Sequence, residues 1–374
     1  MQNTRNGLLI ASIAAMLVAC GGGGSSPAPA PNVTPVNPPI VITPETVPAI
    51  AVKATSYDNA KSMGFSAMTL PQSEIWAAAY ARADFKRNGS MMLFSSHRTY
   101  DNTKPLSAAT PGVHGFFSMK NGAWVEEPGM IDSNVSCIDA RKALVADFNG
   151  DGKPDILLAC IGYDAAPFPG ERMMLIASTA SGVFKVTQFG DAGFFHGAAA
   201  ADIDGDGKVD YVTTDNKTRA ALRMFKGVGD GTFTEVSNAF PSSTNAGGYF
   251  TLELLKVDGD GNIDLLAGGH EFEGTQTIVI YGNGAPVFTN GNVKQLPGTD
   301  ATAGVVLDFA KVDNKLYVGR TNGGASGFYT KLGLQVVDLT TLTQVSLTVK
   351  DAPLFIWLMP TANGVVSDRT DRPL

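Results

Sequence analysis

Short apolar runs, punctuated by Gly, Asp, Asn and Pro, recur along most of this chain, and no long stretch shows the spacing of an amphipathic helix. Residues 143–146, 198–201 and 252–255 read as strands, and so do 156–159, 211–213 and 265–267. A nine-residue loop joins each run of the first set to one of the second. Its copies are Asp147-Phe-Asn-Gly-Asp-Gly-Lys-Pro-Asp155, Asp202-Ile-Asp-Gly-Asp-Gly-Lys-Val-Asp210 and Lys256-Val-Asp-Gly-Asp-Gly-Asn-Ile-Asp264. The pattern predicts three antiparallel hairpins, each with a carboxylate-rich turn.

That turn has the chemistry of a hard-cation site. Calcium takes six to eight oxygen ligands. Side-chain oxygens at loop positions 1, 3, 5 and 9, with a main-chain carbonyl at 7, would supply them. The candidate ligands are Asp147, Asn149, Asp151, Lys153 (through its carbonyl) and Asp155 in the first loop. The second offers Asp202, Asp204, Asp206, Lys208 (carbonyl) and Asp210. The third offers Asp258, Asp260, Asn262 (carbonyl) and Asp264, with Lys256 at position 1. Glycines at positions 4 and 6 allow the sharp turn. An EF-hand is excluded, because position 12 is Leu158 or Thr213 rather than Glu and the flanks are strand-like. Ranked by ligand charge, the second loop should bind best and the first next. The third should be weak or empty, with the Lys256 ammonium pairing with Asp258 and Asp260.

The loop resembles the calcium loop of FG-GAP (VCBS) repeats, the units of integrin-α-like β-propellers. Two further stretches are similar to that family: Phe225-Lys-Gly-Val-Gly-Asp-Gly-Thr-Phe233, and Phe189-Gly190 ahead of His196-Gly197-Ala198. The resemblance covers roughly residues 137 to 295. It implies an all-β propeller of four-stranded blades in which the ion is structural and a ligand is recognised elsewhere.

First positions at 147, 202 and 256 give a repeat of 55 and then 54 residues, a period that marks propellers and solenoids. Degenerate copies extend it. They are Asp84-Phe85 before residues 91–94, Asp308-Phe309 before 316–318, and a final pair, 354–359 and 365–366, around a turn at 360–364. The expectation is six blades, with seven as the alternative. The last unit has sequence for only two strands, and residues 49–70 are the candidates to complete it.

The N-terminus reads differently. Arg5 and the apolar run at 8–19 form a signal segment too short to span a bilayer. Leu17-Val-Ala-Cys20 resembles a bacterial lipobox, which implies lipidation of Cys20. An ordinary secretory signal with a chance cysteine is the alternative. Residues 20–48 form a Gly/Ser/Pro-rich tether. The expected organisation is therefore signal peptide 1–19, tether 20–48 and propeller 49–374, on the cell envelope. Gly21 at the +2 position favours the outer membrane. An exported address permits a disulfide between Cys137 and Cys160, two separately buried thiols being the alternative.

The net charge of −7 is local, since ten of the 35 acidic residues sit in the three loops. No basic stripe with aromatics suggests nucleic acid. The four histidines (His97, His114, His196 and His270) form no HExxH or zinc set, and no GxSxG elbow accompanies Ser95, Ser96 or Ser118. Trp76, Trp124, Trp357 and the Phe194-Phe195 pair are either blade packing or sugar platforms. The expectation is a non-enzymatic binding or adhesion module for a protein or glycan, anchored to the membrane. A polysaccharide-active envelope enzyme and an assembly scaffold are the rivals.

Overall fold

The computed structural model describes residues 78–367, apart from 102, 122, 217–221, 246, 289–291, 353–356 and 362. The signal segment, Cys20, the tether, residues 49–70 and Trp76 lie outside the described residues. Five four-stranded antiparallel sheets follow one another along the chain. The first holds β1 (Ala78–Ala83), β2 (Met92–His97), β3 (Val113–Lys120) and β4 (Ala123–Glu126). The second holds β5 (Ala140–Ala146), β6 (Asp155–Cys160), β7 (Glu171–Ala177) and β8 (Lys185–Gly193). The third is β9 (Ala198–Ala201), β10 (Asp210–Thr214), β11 (Leu222–Gly227) and β12 (Phe233–Val236). The fourth is β13 (Tyr249–Leu255), β14 (Asp264–Gly269), β15 (Ile278–Ile280) and β16 (Val293–Gln295). The fifth is β17 (Val305–Val312), β18 (Lys315–Thr321), β19 (Lys331–Asp338) and β20 (Thr343–Asp351). A hairpin of β21 (Leu358–Thr361) and β22 (Gly364–Ser367) follows. First strands touch in order, β1 on β5, β5 on β9, β9 on β13, β13 on β17 and β17 on β21, as innermost strands of a propeller do.

The blade count corrects the expectation of six or seven. Among the described residues there are five four-stranded blades, and the sixth unit is a two-stranded hairpin. The period continued past residue 351, but the chain beyond it supplies only two described strands. Two local readings also change. Pro360 lies inside β21 opposite Val365 rather than in a turn. Asp308 sits within β17, buried, and accepts the Leu358 N–H at 2.8 Å. The fifth blade turns at Asp313, whose φ is 50°, between strands that pair from Val312 and Lys315.

The core lies between blades. Ala143, Val145, Ile156 and Leu158 pack on Ala79, Met92 and Phe94 of blade one. Their neighbours Leu144, Ala146 and Leu157 pack on Ala198, Ala200 and Tyr211 of blade three. The same division recurs between blades three and four, around Val212, Met224, Leu252 and Ile280. Blades four and five meet at Leu266, Val279, Phe309 and Val318. Successive residues of a strand point to opposite faces, and here both faces are buried. The inner strands therefore read as continuous apolar runs rather than as alternation.

Candidate functional site

Each inner hairpin has two ends. At one, Ala146 faces Asp155, Ala201 faces Asp210 and Leu255 faces Asp264. These ends carry the nine-residue loops. At the other, Ala140 faces Cys160, Ala198 faces Thr213 and Tyr249 faces Gly269.

At the loop end the position-9 aspartate acts as a bridge. Asp155 Oδ2 accepts the Phe148 and Asn149 N–H groups, and its Oδ1 accepts that of Ser178 after β7. Asp210 joins Ile203 N to Gly227 N at 3.1 and 2.9 Å. Asp264 joins Val257 N to Gly282 N at 2.6 and 2.9 Å. Each carboxylate thus ties its loop to the third strand of the blade. All three are fully buried. Burial pushes Asp155 up to about 7 and Asp210 and Asp264 up to about 6, against the pull of their backbone donors. The position-4 and position-6 glycines all have φ between 74° and 92°, a region costly for any residue with a Cβ. Position 1 folds the turn: Asp147 accepts the N–H groups of Gly150, Asp151 and Gly152. Asp84 of blade one does the same for Asn88 and Gly89, so this turn forms even where the other carboxylates are missing.

The three loops differ in what they could hold. Ligand atoms of Asp202, Asp204 and Asp210 lie within 4.8 Å of one another, as do those of Asp258, Asp260 and Asp264. Asp202 Oδ1 is buried and accepts no hydrogen bond among the described residues. An orphaned anionic oxygen beside two more carboxylates fits a cation. In the first loop Asp151 is turned to the Ser178 hydroxyl at 2.9 Å, and Asn149 donates to the Ser178 carbonyl. Asp147, Asp151 and Asp155 form no such tight set. Lys153 donates to the Thr179 carbonyl, and Lys208 stands 4.0 Å from Asp206 of its own loop. Asn262 folds back on Asp260. Lys256 acts on Asp260 through its charge, and a second ammonium, from outside the loops, reaches the 202–210 loop. It is Lys226 of β11, which pairs with Asp204 and, at 3.1 Å, with Asp206. Sequence reasoning missed it, since nothing local shows that a third-strand residue faces the turn.

The opposite end gathers side chains from all five blades. Arg141 of blade two stands 3.9 Å from Asp164 and interacts electrostatically with Asp139, Tyr329 and Tyr100. Arg98 of blade one donates to Asp139 at 2.9 Å. The Tyr100 hydroxyl accepts the Asp164 N–H at 2.7 Å. His196 of blade three senses Arg141 and His270. Burial pushes both histidines down, so they are neutral near pH 7. Asp139 Oδ1 and His196 Nδ1 are buried without a hydrogen-bond partner among the described residues. Rings surround this polar centre. Phe168 meets Phe194 and Phe194 meets His196. His196 meets Phe250, and His270 stacks between Phe250 at 4.0 Å and Phe272 at 5.0 Å. Phe272 continues to Phe328, and Phe328 to Tyr329. Phe168 and Phe328 are about half exposed, at 47% and 49%. Deeper in the centre, Lys142 of β5 donates to Glu253 and to the Leu252 carbonyl of β13 at 2.7 and 2.9 Å. That pair links blades two and four.

Other candidates fall elsewhere. Trp124 and Phe195 are buried packing residues, and Trp357 lies under Lys142 at 5.8 Å. His97 accepts or donates to Ser95 at 2.8 Å, but both are buried in β2. Cys137 and Cys160 are bonded, with Cα atoms 5.7 Å apart.

Comparison with known proteins follows the same lines. A family model described as FG-GAP-like repeat matches residues 147–213 and 202–267. No curated protein matches the chain. Among solved structures, the β-propeller domain of Myceliophteria thermophila Cps50 (Swd1) is 13% identical, with a TM-score of 0.31, over 61% of this chain and 62% of that one. The Dos1 propeller is 9% identical, with a TM-score of 0.36, over 87% and 69%. The S. cerevisiae core factor is 9% identical, with a TM-score of 0.32, over 84% and 56%. The chain thus spans less than two thirds of the first and third of these. The chain's own strands thus form a β-propeller, in which residues 147–267 match FG-GAP-like repeats.

Proposed function

We propose that this chain is a non-enzymatic binding module that takes a glycan at the aromatic and charged end of its blades, with calcium in the carboxylate loops serving the fold. One observation carries the reading: every blade sends a polar or aromatic side chain to the end opposite the loops. The charges there offset each other, Arg98 and Arg141 against Asp139 and Asp164. A charge-balanced set of donors and acceptors, flanked by half-exposed rings, suits an uncharged polyhydroxylated ligand better than an ionic one. Sugar C–H faces stack on rings, while planar Arg and Asp groups pair with hydroxyls. A few polar groups on a largely apolar floor is the usual make-up of a ligand site.

The closely set Asp202–Asp204–Asp210 and Asp258–Asp260–Asp264 carboxylates support the calcium reading. Calcium there would neutralise crowded carboxylates. The chain's own residues fold the turn and bridge it to the third strand. Envelope attachment through Cys20 remains part of the proposal on sequence grounds. The test is a glycan array read with the full chain, with calcium and with chelator. Binding to neutral saccharides supports the reading. Capture of proteins alone, with no saccharide bound, would move it to a protein-adhesion role.

A further inference from the structure

The residue that faces each carboxylate loop from the third strand differs in every blade. The position-9 carboxylates fix the alignment, because their Oδ1 atoms accept the N–H groups of Ser178, Gly227 and Gly282. The residues just before these are Ala177, Lys226 and Tyr281. Blade two therefore presents a methyl group, with the Ser178 hydroxyl on Asp151. Blade four presents a phenol, which feels the charges of Asp258 and Asp264. Blade three alone presents an ammonium, and it sits on Asp204 and Asp206.

We infer that Lys226 is a built-in counter-cation of the 202–210 loop and sets that loop's affinity for divalent cations. This rests on the calcium reading above. Asp204 and Asp206 occupy positions 3 and 5, where an incoming ion needs their oxygens. Lys226 holds those oxygens, while Asp202 Oδ1 has no hydrogen-bond partner among the described residues. The ammonium covers only half of the site, so the loop keeps its shape without metal yet retains an oxygen for one. A divalent ion must push Lys226 aside and then sit near its charge. Carboxylate count ranks this loop first, and Lys226 takes that advantage away. Lys208 is the other cation at the loop, 4.0 Å from Asp206 and half exposed. Its carbonyl, not its ammonium, lies at a ligand position, so it does not block the site.

The test is calcium titration calorimetry and thermal melting of the full chain as wild type, Lys226→Met and Lys226→Arg. Lys226→Met should bind calcium at this loop about tenfold more tightly or better, because a repelling unit charge a few ångströms away is gone. In chelator the same variant should melt below wild type, since its carboxylates lose their partner. Lys226→Arg keeps the charge and should behave like wild type. A purely structural lysine would lower stability in both conditions and leave affinity unchanged. If Lys226→Met does not fold in chelator, refolding on calcium addition supports the inference, and failure to refold counts against it. Calcium binding by wild type with no gain in Lys226→Met overturns the role of Lys226 and leaves the calcium reading standing. Binding only by Lys226→Met supports it. No binding by either overturns both.

Discussion

Asp155, Asp210 and Asp264 stand at a proposed cation ligand position, yet each also ties the backbone of its own loop to the end of the third strand by hydrogen bonds. Removing such a group orphans buried N–H donors, at about 1–3 kcal/mol each. Asp210→Ala should therefore lower stability by about 2–5 kcal/mol even in chelator, measured by denaturant unfolding. An effect seen only with calcium present would show that the bridge contributes nothing. Glu171 gives a second residue-scale test. Its carboxylate accepts the Ile138 N–H at 2.8 Å, and burial pushes its pKa up to about 7 from an ordinary 4.5. The folded protein keeps a proton that the unfolded chain gives up near pH 4.5. The stability tied to this group is thus present below pH 4.5 and is lost as pH rises toward 7. Glu171→Gln should flatten that fall, by about 3 kcal/mol at most across the window; an unchanged pH profile would contradict it. At this scale the sequence was legible where chemistry repeats, as in the loop aspartates. It was silent on Lys226, because facing across a sheet is not a local pattern.

Among elements, the inner hairpins could be read almost residue by residue. The apolar runs 198–201 and 265–267 fall within β9 and β14, since strands buried on both faces leave an unbroken apolar trace. Blade five was harder. Its hairpin turns in two residues, so the aspartate expected at a loop start lies mid-strand instead. The hairpin of blade two carries its own staple. Cys137 and Cys160 are 23 residues apart in sequence, and closing a loop of that size stabilises by roughly 3 kcal/mol in the chain-entropy model. Thiol labelling of unreduced, denatured protein should find neither cysteine reactive. Two labelled thiols would contradict the bond, and Cys137→Ser/Cys160→Ser with unchanged stability would remove its structural role.

For the molecule as a whole, stability is built between neighbouring blades, one apolar cluster per interface. Lys142 and Glu253 add a link across the centre. The two are buried and come from strands more than a hundred residues apart, so no sequence signal could join them. Glu253→Leu should leave a buried ammonium unpaired and cost about 3–5 kcal/mol, with Lys142→Met/Glu253→Leu recovering most of it. If the double variant is no better than the single one, the pair is not the source of the cost. The aromatic and charged end was equally hidden, because its members come one or two at a time from each blade. The most direct test of the account separates the two ends of the blades. Saccharide affinity and melting temperature are measured on the full chain for Phe168→Ala and Phe328→Ala at one end, and for Asp204→Asn and Asp260→Asn at the other. The account predicts that the phenylalanine variants lose binding at unchanged melting temperature, while the loop variants lose the calcium-dependent part of their melting temperature and still bind when folded. Loop variants that lose binding at full stability, beside phenylalanine variants that bind normally, would contradict it.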